Sequence, residues 1–439
     1  MDHAKDPANV RYDGRTMVRL LIIGTLDTKL EDLEHLAAII RELGAEPVVM
    51  DASTRMGSTR LSGDVQLISR AEVARAAGSS IRAVDGLPRG EAVEVMQAGV
   101  LALTGQMAAS GRIQGAVCVG GAGAHLAGPA FKALEIGFPK MIVSPLASGD
   151  RRFEPYVGLR DVAVLHSVAD IAGVNAVTGP VYRATAGYIV GAARAYASGA
   201  DAPIAPTVAV SMNGNTTPGL SRAMAALRAR GISCVSFHAN GVGGRALEDF
   251  VASGKAVAVL DYTTTELGAH LVGGLMDPGP SRMEAAGRRG VPQVLVPGCV
   301  DFITCGRWDE ARRDFPGRSM FRHNPELTLV RLTEEEMRRL GDAFAGKANL
   351  AAAATVICVP TRGFSISDVE GGAFWDPTAD AAFIDALAAG LDDPARLVLI
   401  DAHVNSPDFV DRVVTELMAL LEPPAGVEEQ RTPELGRSR

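Results

Sequence analysis

The 439-residue chain carries 43 basic and 51 acidic side chains, for a formal charge of −8, and 47% of its residues are apolar. That length and apolar content suit roughly two to three packed domains and exclude a small stapled scaffold. The acid excess, the lack of a long basic run and the scarcity of aromatics argue against nucleic acid as a partner.

The cysteines, Cys118, Cys234, Cys299, Cys305 and Cys358, are odd in number and form no C-x-x-C pair. Most sit inside apolar runs such as "GAVCVGG", which predicts a reduced, cytoplasmic protein. The first sixteen residues lack the apolar stretch of a secretory signal. No later run approaches the ~20 apolar residues of a membrane span, so no membrane association is expected.

Taken in chain order, the candidate strands of the first half are "VRLLIIG", "EPVVMD", "GAVCVGG", "PKMIVS" and "DVAVLHS". Those of the second half are "PTVAVSM", "ISCVSFH", "AVAVLDY", "PQVLVPG", "TLVRL", "TVICVP" and "RLVLID". Longer segments rich in Ala, Leu, Glu and Arg separate them, the βαβ pattern of a parallel sheet covered by helices. The halves also repeat weakly: "LGAEPVVMDAS" parallels "RGISCVSFHAN", and "GFPKMIVSPLASGD" parallels "GVPQVLVPGCVD". The reading is therefore α/β, with two Rossmann-like parallel-sheet halves, residues 17–200 and 207–422, and a cleft between them. The join falls in the proline-bearing "SGADAPIAPT", and a polar tail, 423–439, is expected to be disordered.

Open parallel sheets bind ligands beyond the carboxyl ends of their strands, so the turns that follow strands are the candidate site. In "HANGVGGR", Gly241, Gly243 and Gly244 precede a helix and Arg245. Such a turn is either an anion cradle made of helix N-terminal amides or a plain tight βα turn. In "DYTTTE", Thr263 and Glu266 have capping-box spacing, while Thr264 and Thr265 add hydroxyls beyond what a cap needs. The turn "GTLDTK" supplies Gly24, Thr25, Asp27 and Lys29, with Asp27 either an N-cap or a Mg²⁺ ligand. Gly120 and Gly121 in "GGAGAH", and Ser148 in "SPLASGD", complete the candidate phosphate contacts. His238, Asp261 and Glu266 are the candidate metal ligands or proton carriers. No spaced Cys/His set points to zinc, and no Walker P-loop is present.

From about Leu20 to about Phe409 the chain resembles the Tm-one-like ATP-binding domain family. The resemblance is carried by "GTLDTKLEDL", "SPLASGD", "YVGLRDVAVLHSVADIAGVN", "FHANGVGGRALED", "VLDYTTTEL", "RMEAAGRRGVPQVLVPGCVDF", "RHNPELTLVRLTEEE" and "FWDPTAD". It implies a two-part α/β domain that binds ATP and self-associates, here as a homodimer. The chain departs from the family pattern at Ala122, Ala124 and His125, and at Asn240 and Val242. The expected function is use of ATP and Mg²⁺ to activate a small-molecule substrate in the cleft between the two halves. The competing expectation is an ATP-responsive binding or regulatory module without chemistry.

Overall fold

The computed structural model describes residues 16–55, 61–62, 64–121, 124–147, 154–199 and 207–421. Ser148, the join around 200–206 and the tail after 421 lie outside the described residues. The chain divides into two compact units, residues 1–203 and 204–439.

The first unit runs β1 (Arg19–Gly24), α1 (Leu26–Glu42), β2 (Glu46–Asp51), β3 (Gln66–Ile68), α2 (Arg70–Ala76), α3 (Ile81–Asp85) and α4 (Arg89–Ala109). It continues with β4 (Gly115–Val119), α5 (Ala124–Ala133), β5 (Lys140–Ser144), α6 (Glu154–Val157), β6 (Ala163–His166) and α7 (Thr178–Ala197). Its strands form one six-stranded sheet in the order β3-β2-β1-β4-β5-β6. Every pairing in it is parallel.

The second unit begins β7 (Thr207–Met212), α8 (Thr217–Arg228), β8 (Ser233–His238), α9 (Val242–Ala252), β9 (Ala256–Thr263), α10 (Glu266–Val272), α11 (Ala285–Arg289) and β10 (Gln293–Gly298). An insertion follows: β11 (Phe302–Cys305), α12 (Trp308–Asp314), β12 (Met320–Arg322) and β13 (Thr328–Arg331). The unit closes with α13 (Glu334–Asn349), β14 (Thr355–Pro360), α14 (Pro377–Gly390), β15 (Leu397–Ile400) and α15 (Pro407–Leu421). The main sheet has the order β8-β7-β9-β10-β14-β15 and is again parallel. β11, β13 and β12 make a separate antiparallel sheet.

Alternation along each central strand explains why these runs form strands. In β1, Leu21 and Ile23 enter one core with Val48, Met50 and Ile142, while Leu20 and Ile22 enter another with Val49, Val117 and α7. Both faces are covered, so the runs are apolar throughout instead of alternating with polar residues. In the second unit Val208, Leu260 and Val294 pack under α8 and α15, and Leu295 and Ile357 pack under α13 and α14.

The internal repeat has a structural meaning. β2 and β8, the first repeated pair, lie outside β1 and β7 respectively; β5 and β10, the second pair, lie beyond β4 and β9. Without β3 and β15 the two sheets share one strand order. In each, the order reverses between the first strand and its inner neighbour, β1 with β4 and β7 with β9. That reversal is where helices leave on opposite faces and a crevice opens.

Candidate functional site

At the β1/β4 reversal of the first unit lies a cavity of about 340 Å³, lined by Thr25, Asp27, Thr28, Lys29, Thr54, Arg89, Gly120, Gly121 and Asp170 among others. The predicted residues Thr25, Asp27, Lys29, Gly120 and Gly121 thus come together. Gly24 ends β1 behind them, where a Cβ would press on Leu33. Arg89 and Asp170 were not singled out in the sequence. They reach the cavity from the start of α4 and from the loop after β6.

The local chain explains the geometry. Thr25 is the N-cap of α1, in extended conformation and without a side-chain cap bond, so Asp27 is a first-turn residue and not the cap. The opening amides of α1 are satisfied inside the protein: Leu26 N–H donates to Asp51 Oδ1 at 3.2 Å and Asp27 N–H to Ser53 Oγ at 3.1 Å. The Ser53 hydroxyl donates in turn to Asp51. Lys29 breaks the helical backbone at φ −131°, ψ 21°, and its ammonium donates to the Ile171 carbonyl. That bond uses one of three ammonium donors and fixes the charge on the cavity wall. The opening amides of α1 are thus already engaged, and Lys29 and Arg89 are the cations on this cavity.

The corresponding reversal in the second unit is filled by the protein. Gly241 N–H and Gly244 N–H both donate to Glu266 Oε1, at 2.5 and 3.0 Å. Gly243 N–H is taken by Asn240 Oδ1 at 2.9 Å. The glycine turn does cradle an anion, but the anion is the chain's own carboxylate, which corrects the expectation of a phosphate on Gly241, Gly243 and Gly244. Glu266 Oε2 accepts from Arg282 Nε at 2.7 Å; Arg282, 1% exposed, also grips Asp261 with both Nη atoms and reaches Glu248 at 3.2 Å. Glu248 is held above its ordinary pKa chiefly by burial, against the pull of Arg282.

This network changes the reading of several predicted residues. Asp261 and Glu266 are buried partners of Arg282, unavailable as proton carriers or metal ligands. The capping box over Thr263 and Glu266 does not form, because Thr265 is the N-cap of α10 and Glu266 turns to α9. Thr263 shares a 2.7 Å hydrogen bond with Thr216, Thr264 donates to the Val296 carbonyl and Thr265 to the Phe302 carbonyl. All three hydroxyls are buried and internally engaged. His238 is exposed at the end of β8. Gly243 is required for packing, since a Cβ there would overlap the His238 carbonyl. Arg245 is half-buried in the first turn of α9.

A larger cavity, about 690 Å³, lies where β5 and β6 begin, lined by Phe138, Met141, Tyr188 and Ile189. Its charged groups, Lys140 and Asp161, pair at 2.7 Å. It is at the wrong end of the strands for an α/β ligand site.

Fold and site together define a doubly wound α/β protein with two sheets of related topology. Its first unit holds an open polar cavity at the strand-order reversal, and its second unit has that position closed by an acidic side chain. Residues 18–198 match the family described as Uncharacterised protein family (UPF0261) N-terminal domain, and residues 205–421 match the C-terminal domain of the same family. The chain belongs to the UPF0261 family. A UPF0261 protein of Clostridium tetani is 35% identical over 92% of this chain and 99% of that protein. One from Rhizobium meliloti is 33% identical over 93% and 100%. The tomato ToMV resistance protein Tm-1(GCR237) is 30% identical over 92% of this chain and 56% of its own length. The calicheamicin glycosyltransferase CalG4 aligns over 93% of this chain and 100% of that chain, at 13% identity and a TM-score of 0.20, too low to carry an argument.

Proposed function

We propose that this protein binds ATP with Mg²⁺ in the β1/β4 cavity of its first unit and uses the nucleotide on a small molecule. The observation that carries the reading is Lys29: its ammonium is fixed on the cavity wall by the Ile171 carbonyl, beside Arg89 and the Gly120–Gly121 turn. Two cations at a strand-order reversal suit a polyphosphate, and a glycine turn lets backbone approach it. Asp27 and Asp170 are the carboxylates on the same cavity. Mg²⁺ ordinarily takes one or two carboxylates together with phosphate oxygens and water. Among the described residues no group of three His, Cys, Asp or Glu is placed to hold a metal, so the ion would arrive with the phosphates. The resemblance to ATP-binding proteins of the Tm-one-like type supports the choice of nucleotide.

A second reading, an ATP-responsive module without chemistry, is favoured by one observation: Asp261 and Glu266 are locked on Arg282. ATP consumption measured against a panel of small acids and amines separates the two. Turnover with any of them supports the first reading, and tight ATP binding without turnover supports the second. Among the described residues no helix is long and apolar enough to cross a membrane. Cytoplasmic location and self-association as a dimer belong to this proposal, carried by the cysteine pattern and the resemblance.

A further inference from the structure

A second cavity, about 460 Å³, adjoins the first, and Thr54 and Arg89 line both. Its other walls are Arg55 from the loop after β2, Asp85 at the end of α3, and the apolar side chains of Val84, Leu87 and Ala92. The frame is braced from behind by Arg70, which is 5% exposed. Arg70 Nε donates to the Ser53 carbonyl at 3.1 Å and Nη2 to Asp85 at 2.5 Å, tying the β2 loop to α3. Ser53 also receives the Asp27 amide. One short segment, 51–55, therefore supports the start of α1 on the first cavity and presents Thr54 and Arg55 to the second.

Charge decides what fits. Arg70 neutralises Asp85, the acid of this cavity, whereas Arg55 and Arg89 have no carboxylate partner among the described residues. Two uncommitted guanidinium groups above an apolar floor match an anion with an apolar body, and the planar fork of arginine suits a carboxylate. A neutral nucleobase would leave the Arg55 charge without a counterpart.

Resting on the nucleotide reading of the first cavity, we infer that the second cavity is the co-substrate site and takes a small carboxylic acid. Its carboxylate lies on Arg55 and Arg89, and its body lies against Val84, Leu87 and Ala92. Arg89 faces both ligands, and Arg55 lines only the second cavity.

The test is calorimetric titration of the full chain with butyrate, benzoate and succinate, with butylamine and phenyl phosphate as controls, each in the presence and absence of ATP and Mg²⁺. At least one acid is expected to bind the wild-type protein. Arg55→Ala is expected to weaken that acid by roughly ten- to a hundred-fold while leaving ATP affinity unchanged, and Arg55→Lys to lose less. Acid binding that ignores Arg55→Ala, no acid binding in either condition, or preference for a control would overturn the inference. Failure of the wild-type protein to bind ATP would overturn the nucleotide reading and with it the pairing of the two ligands, and Arg55-dependent acid binding would still support the second site.

Discussion

Glu266 supplies the anion at the N-terminus of α9: its carboxylate accepts the Gly244 amide at 3.0 Å and leaves no room for a side chain on Gly244, where a Cβ would overlap it. The helix dipole, the Gly241 amide and the Arg282 guanidinium all hold the carboxylate at this spot. Glu266→Ala should therefore cost about 1–3 kcal/mol, because it leaves the buried Gly241 and Gly244 amides and the Arg282 Nε–H without an acceptor while Asp261 and Glu248 still pair the guanidinium. Gly244→Ala should cost roughly 1–3 kcal/mol through overpacking. Urea unfolding measures both; a loss under 1 kcal/mol for Glu266→Ala would mean that the network is dispensable.

The threonine triplet makes a separable prediction. Thr264→Val removes a hydroxyl that donates to the Val296 carbonyl, and should lower stability by about 1 kcal/mol. Nucleotide affinity should not change. A tenfold weaker nucleotide with normal stability would show that the hydroxyl leaves its carbonyl for a ligand.

Beyond β10 and β14, Asp301, Asp368 and Asp380 surround Arg331 in the buried interior. Burial, with the Asp368 charge second, raises Asp301 to about 7 and Asp380 to about 8, and burial also raises Asp368. The folded protein thus keeps protons that the unfolded chain releases above the ordinary aspartate range. Stability should fall as pH rises from about 5 to 8, by up to ~1.4 kcal/mol per unit for each proton retained, and then level off. Asp380→Asn should flatten the slope. The carboxylates held low, such as Glu72 and Asp277, act below this window. A wild-type stability that rises between pH 5 and 8 would contradict the assignment.

Thiol chemistry gives a further check. Burial pushes Cys118 and Cys358 up to about 12 and Cys305 to about 11, and Cys299 is raised well above its ordinary range. Cys234, on the outer strand β8, is only half-buried. Iodoacetamide at pH 8 should modify Cys234 alone in the native protein and all five cysteines after unfolding, read by mass spectrometry. Rapid native labelling of Cys299 would mean that its strand end opens.

The central parallel strands were legible because each is a short apolar run covered on both faces, and the repeat placed β2 with β8 and β5 with β10. β3, β11 and β12 were not: Gln66–Ile68 and Met320–Arg322 are three residues each, and Phe302–Cys305 directly follows another strand end. The turn residues of the first cavity could be read because each stands just after a strand. Arg89 and Asp170 could not, because helix starts and loops elsewhere in the chain bring them in. Glu266 misled for a physical reason. Its three-residue spacing from Thr263 signals a local cap, whereas its partners Gly241 and Gly244 lie 25 and 22 residues earlier, a contact that only the fold creates. Nothing in "SRMEAA" announces that Arg282 is fully buried among three carboxylates.

The central claim is that side-chain cations at the β1/β4 reversal hold the nucleotide phosphates, while the glycine turn of the second unit holds Glu266. Calorimetric titration of ATP with Mg²⁺ into the wild-type protein, Lys29→Ala, Arg89→Ala and Arg245→Ala tests it most directly. Each charge-assisted contact is worth roughly 1.5–3 kcal/mol, so Lys29→Ala and Arg89→Ala should each bind about ten- to a hundred-fold more weakly, with Arg245→Ala close to wild type. Loss of affinity in folded Arg245→Ala with none in Lys29→Ala would contradict the account and move the phosphates to the glycine turn.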